Sequence, residues 1–110
     1  MPVPSIWREF EYKLAVESAL ERGDISPDFV RNAERECAER AESALHERFG
    51  GDERITWLAA RLARHGPRAC MDRIRCFGSI DEILRNLEER AENLEELLWR
   101  EDCYRWRDRA

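Results

Sequence analysis

The chain contains five glycines, and each stands where a helical pattern stops: Gly23, the pair Gly50-Gly51, Gly66 and Gly78. Glycine has no Cβ, so it can enter the left-handed turn that ends a helix without strain. A start signal follows each stop. Ser26-Pro27-Asp28 supplies a capping hydroxyl, a proline suited to the first turn and an acid facing the helix dipole. Asp52 can cap ERITWLAARLAR, Pro67 opens RACMDRIRCF, and Ser79 with Glu82 forms a capping box for the last helix. Ser5 stands ready to cap the first, IWREFEYKLAVESALER.

The apolar spacing agrees with these joints. In the last helix Ile80, Leu84, Leu87, Ala91, Leu94 and Leu98 alternate steps of four and three, which makes one stripe on a helix. Val30, Ala33, Cys37, Ala41, Ala44 and Leu45 repeat the pattern in the second helix, and Ile55, Leu58, Ala59 and Leu62 in the third. No segment alternates with the period of two that a strand requires. The spacing therefore predicts an all-α fold, a small helical bundle of four to five helices. Two long helices enclose a short middle pair, in a single domain over residues 1–110 with residues 1–4 as a flexible N-terminus. The alanine-rich second helix is expected to pack closely within the bundle. Trp7 and Trp57 are expected in the core or at its edge. Acid-first pairs four apart (Glu9–Lys13, Glu36–Arg40, Asp81–Arg85, Glu96–Arg100 and Glu101–Arg105) are expected on outer faces.

Charge is distributed unevenly. The total is −5, yet residues 51–78 are net +3 between two segments of net −4 each. Such a total opposes loose, non-specific binding to nucleic acid, while the basic centre formed by Arg61, Arg64, Arg68, Arg73 and Arg75 is a candidate surface for a local contact. Of the 19 cationic side chains all but Lys13 are arginine, the planar fork suited to carboxylates and phosphates. With 43% hydrophobic residues the chain has enough apolar material for one modest core. No apolar run approaches the ~20 residues of a membrane span, and MPVPSIWREFEYK lacks the pattern of a secretion signal. A cytoplasmic location is the expectation.

Candidate chemistry begins with GPRACMDRIRCFGSIDEIL, residues 66–84. Gly66, Pro67, Arg68, Ile74, Phe77, Gly78, Ser79, Ile80 and Leu84 make this stretch resemble the second half of the helix-hairpin-helix DNA-binding motif. The resemblance implies a phosphate gripped by backbone N–H groups at Gly66, with Arg68 beside it and Arg64, Arg73 and Arg75 as further contacts. Arg64 stands where that family has its first hairpin glycine, and His65 where it has an apolar residue. The other reading of the stretch is a plain joint between helices, and it ranks first.

Arg40 and His46 have the spacing found in HEPN-type helical ribonucleases, and the overall length and helical plan resemble that family, which would imply RNA cleavage. That family carries the pair on a late helix, whereas here it lies on the second. Cys37, Cys70, Cys76 and Cys103 contain no C-x-x-C pair. Free and mostly buried thiols are expected, with metal and disulfide states ranked below them. Glycine phosphate loops, nucleophile elbows and H-E-x-x-H are missing. No catalytic residue, metal or cofactor is therefore assigned.

The tail WREDCYRWRDRA interleaves Trp99, Tyr104 and Trp106 with Arg100, Arg105, Arg107 and Arg109. Large aromatics and arginine are the residues that most often anchor interfaces. The leading expectation is thus a non-catalytic binding or regulatory bundle whose partner is another protein or a second copy, not a membrane. Trp99, Arg100, Tyr104, Arg105, Trp106 and Arg107 are the candidate partner contacts, while the other reading of the tail, ranked slightly ahead, folds Trp99, Cys103 and Trp106 back on the bundle. Nucleic-acid binding through residues 66–84 is the rival.

Overall fold

The computed structural model describes the backbone of residues 6–109 and the side chains of residues 8–96. Five α-helices follow one another: α1 Ile6–Arg22, α2 Pro27–Phe49, α3 Ile55–Ala63, α4 Pro67–Cys76 and α5 Ile80–Arg109. No strand occurs among the described residues. This is the expected all-α bundle, with α3 and α4 as a short pair between long helices.

The joints form for the reasons the sequence gives, with two shifts. The Ser26 hydroxyl accepts from the Phe29 N–H at 3.1 Å, and Pro27 occupies the first turn of α2. Gly50, at φ 81°, ends that helix by donating to the His46 carbonyl at 3.0 Å. Asp52 acts earlier than expected: its carboxylate accepts from the Arg54 N–H at 2.9 Å, and the helix begins only at Ile55. At α5 the Ser79 hydroxyl accepts from Glu82 N–H at 3.2 Å, while the Glu82 carboxylate reaches back to the Gly78 N–H at 2.9 Å. The box is thus reciprocal but closes one residue further out than usual. The proposed Ser5 cap and residues 1–4 lie outside the described residues.

The core forms around α3. Ile55, Leu58 and Leu62 are fully enclosed, and they meet Ala41 and Leu45 of α2, Cys70 and Ile74 of α4, and Ile80, Ile83 and Leu87 of α5. Burying a side chain of this size stabilises by roughly 1.5–3 kcal/mol. Ala41 and Ala59 are enclosed too, and the α2–α3 pairing is the most extensive in the bundle, as alanine's short side chain allows. The α5 stripe is buried at Ile80, Leu87 and Leu94 and half-buried at Leu84 and Ala91. Ile83 belongs to it as well, at 0% exposure, because a core reached from two sides widens the stripe beyond one seam. The α2 stripe fails at Ala33, which is exposed. Leu98 lies beyond the described side chains.

Trp57 is a correction. Expected in or beside the core, it is 54% exposed, because Ile55, Leu58, Ala59 and Leu62 already occupy the inward face of α3. Glu9 is the opposite case. Expected on the surface with Lys13, its side chain is wholly buried.

Candidate functional site

Glu9 and Arg73 build the first constellation. Arg73 was expected on the basic surface as a phosphate contact; instead it is fully enclosed, which removes it from any such role. Its Nη2 donates to Glu9 Oε1 and its Nε to Asn86 Oδ1, the latter at 2.9 Å. One residue of α4 thus ties α1 to α5. Arg73 falls one turn before the end of α4 on the same side as Cys70 and Ile74, so the helical period sends it inward with them. Its Nη1 is buried without a hydrogen-bond partner among the described residues. Burial, then the nearby Arg90 charge, pulls the Arg73 guanidinium below its ordinary range, though it stays a cation at neutral pH.

His65 completes the cluster: its Nδ1 lies 3.0 Å from Glu9 Oε2. Burial is the largest influence on this imidazole, and the charges of Lys13, Arg61, Arg90 and Arg64 add to it, bringing it down to about 4. Neutral at pH 7, it donates Nδ1–H to the Glu9 carboxylate. Glu9 is already balanced by Arg73, so a second cation gains little there. Beside His65 opens a cleft of about 350 Å³ lined by Arg8, Tyr12, Gly66, Pro67 and Arg68. Arg8 is engaged by Asp72 of α4. Carboxylate, imidazole and guanidinium here hold helices together.

The hairpin residues 64–68 are arranged as a joint. Gly66 has φ 95° and ψ 154°, a conformation that L side chains rarely adopt. It is buried, and a Cβ placed on it would lie 3.0 Å from the Tyr12 ring. Tyr12 of α1 therefore covers the side of Gly66 on which a side chain would stand. Arg64, Arg68 and Arg75 are exposed. Arg68 and Arg75 are seven apart on α4 and share a side with Asp72 between them, which interrupts the positive stripe.

A second constellation, whose arginines belong to the basic centre but whose tryptophan was expected in or beside the core, lies on the outside of α3. Trp57 is exposed, and the Arg61 guanidinium sits over its ring at 5.2 Å from the centroid. Ala60 and Arg64 are exposed on the same side, one and two turns along. Thr56 Oγ1 donates to Glu42 at 3.1 Å, fastening the start of α3 to α2. Arg54 donates to both Asp52 and Asp81, at 2.8 and 2.7 Å, fastening the same end to α5. These hydrogen bonds hold the Asp52 carboxyl down at about 2. The result is an aromatic–arginine face on a short, rigidly anchored helix. The signal lay in the order of the letters: with Ile55, Leu58, Ala59 and Leu62 in one stripe, Trp57 falls off it.

The remaining candidates separate. Arg40 is exposed and lines a shallow acidic groove with Glu36, Glu39 and Glu47. His46 instead faces the end of its own helix, with Nδ1 3.2 Å from the Gly50 carbonyl and Nε2 3.8 Å from Glu42. The two are not brought together. Asp81, expected to face Arg85, pairs with Arg54. No disulfide joins Cys37, Cys70 or Cys76 among the described residues, and no group of three or more His, Cys, Asp or Glu side chains suited to a metal occurs among them. Trp99, Arg100, Tyr104, Arg105, Trp106 and Arg107 continue the helical backbone of α5, but their side chains lie outside the described residues, as does that of Cys103. No helix among the described residues is long and apolar enough to cross a membrane.

No protein-family model, curated protein or solved structure matches the chain.

Proposed function

We propose that the chain is a non-catalytic binding protein that docks onto another protein through the outer face of α3, with the aromatic–arginine segment 99–107 as a further contact. Trp57 carries this reading. A tryptophan left half-exposed on a helix whose other large apolar residues are fully enclosed keeps a large, stiff apolar surface available to a partner. Its entropy is already reduced by Arg61, which lies over the ring, so little further ordering opposes binding. Arg61 lies over the ring and Arg64 is exposed further along the same side, so the opposite wall of any complex would face two guanidinium groups. The partner is therefore a protein with an acidic surface around an apolar pocket.

The direct test is affinity capture from the native host with the tagged chain, its Trp57→Ala variant and its Arg61→Ala variant, after nuclease treatment. The expected result is a discrete protein retained by the parent and lost at least tenfold in Trp57→Ala. An identical set of captured proteins from all three baits sinks the reading.

Nucleic acid is the second reading, supported by exposed Arg64, Arg68 and Arg75. It requires duplex binding that weakens steeply between two salt concentrations and disappears in Arg68→Glu. A gel-shift titration that gives no complex at low salt excludes it.

A further inference from the structure

Two thiols meet between α2 and α4. Cys37 of α2 is half-buried and packs against the core cluster that holds Cys70 of α4, which is fully enclosed. Each thiol influences the ionisation of the other. A cleft of about 240 Å³ opens at this point, lined by Ala33, Glu36, Cys37, Arg40, Pro67 and Met71. Solvent therefore reaches one member of the pair and not the other. Cys76 is half-buried near the end of α4, six positions from Cys70 and so on a different side of that helix.

We propose that Cys37 and Cys70 form an oxidisable dithiol that closes into a disulfide between α2 and α4 by exchange with a small-molecule disulfide. Cys37, as its thiolate, attacks one sulfur of the reagent through the cleft; the reagent's S–S bond breaks, and one small thiol leaves with a proton. Cys70 then gives up its proton and attacks Cys37 Sγ, displacing the second small thiol. Two protein thiols are oxidised by two electrons, and the reagent is reduced to two thiols. Burial raises Cys37 above the ordinary thiol range, with Cys70 and Arg40 opposing it, whereas burial pushes Cys70 further, up to about 12. Cys37 is thus the member that begins the exchange, and closure at neutral pH runs over minutes to hours rather than seconds. The bond would close a loop containing all of α3, and so staple the short helices against α2.

The test equilibrates the full chain in glutathione buffers running from reducing to oxidising, quenches it with acid and alkylates it unfolded. Peptide mapping by mass spectrometry then follows. The expected result is a linked peptide pair carrying Cys37 and Cys70 in the oxidising buffers, reversed by reduction. Its appearance should accompany a rise in Tm of roughly 5–15 °C, absent from Cys37→Ser. The inference is overturned if both thiols remain alkylatable in the most oxidising buffer, if Cys37 stops at the mixed disulfide with glutathione, or if the link forms to Cys76 or Cys103. The parent's peptide map decides the matter even if a variant fails to fold.

Discussion

Helices α3 and α1 are fastened to the same bundle by opposite means. The inward face of α3 is a run of sealed hydrocarbon, with Ile55, Leu58 and Leu62 at 0% exposure. On α1, by contrast, Leu14, Val16, Ala19 and Leu20 are only half-buried. Among its described residues, those enclosed are Phe10 and a carboxylate, Glu9. What docks α1 is the hydrogen-bonded cluster of Glu9, Arg73, His65 and Asn86, with Arg8–Asp72 nearer the surface. The apolar attachment is insensitive to small displacements and to pH. The ionic one is directional, and it fails abruptly when one member is lost. The comparison teaches that, among the described residues, α3 is held by hydrocarbon whereas α1 is positioned chiefly by charge.

The largest expected effect comes from breaking the ionic fastening. Arg73→Ala leaves Glu9 buried without its cation, and Glu9→Ala does the converse; each should cost about 3–5 kcal/mol in chemical unfolding. The paired substitution Glu9→Leu with Arg73→Met should recover most of that loss, because desolvation then no longer opposes burial. A double variant as unstable as the sum of the singles would show that the pair matters for shape and not for charge. Amide exchange should also distinguish the two regions. In Glu9→Ala, α1 should lose protection first while α3 keeps it.

Next in size is the apolar fastening. Leu58→Ala should cost about 2–5 kcal/mol, the range for deleting a fully enclosed leucine and leaving a cavity. Here loss of protection should extend through α2, α3 and α4 together, since Leu58 belongs to the cluster they share. A variant that loosens α1 alone would contradict the division drawn above.

The third test uses pH. His65 titrates at about 4 in the folded chain and near 6.5 when unfolded. Between those values the unfolded state binds more protons, so stability rises with pH across that window. The contribution is therefore fully present above about 6.5 and is lost as pH falls towards 4. It amounts to about 3 kcal/mol by linkage. His65→Asn keeps a donor near Glu9 but cannot charge, so its stability profile should be flatter across this window. Coincident profiles for parent and variant would remove His65 from the account.

How much of this could be read from letters follows from the same contrast. Helix ends were legible, because capping is local: Ser26, Pro27 and Gly50 act on backbone groups within a turn of themselves. The seam of α5 was legible because it repeats. The ionic cluster was not. Glu9 and Lys13 have the spacing of an ordinary surface pair, and Arg73 sits among arginines. Only the fold, which brings residues 9, 65, 73 and 86 together, distinguishes a buried charge from a solvated one. Trp57 was misjudged for a different reason: as a large apolar residue it was assigned inward by type, although its position lay off the α3 stripe. The resemblance of residues 66–84 to a DNA-binding hairpin rested on Gly-Pro and Phe-Gly-Ser, letters that serve helix joints equally well. At Gly66 the close approach comes from Tyr12.

The smallest expected change in stability is also the most informative about function. Trp57→Ala removes a side chain that is more than half in solvent and leaves every enclosed residue of α3 in place. Unfolding should shift by no more than about 0.5 kcal/mol, apart from the modest loss of the ring's contact with Arg61. Arg61→Ala should be similarly mild. If either substitution instead destabilises by 2 kcal/mol or more, the ring is part of the scaffold, and the α3 face is no longer a free surface. A variant that folds as well as its parent yet loses its partner separates the two faces of one short helix: the inward face holds the bundle together, and the outward face serves whatever the bundle meets.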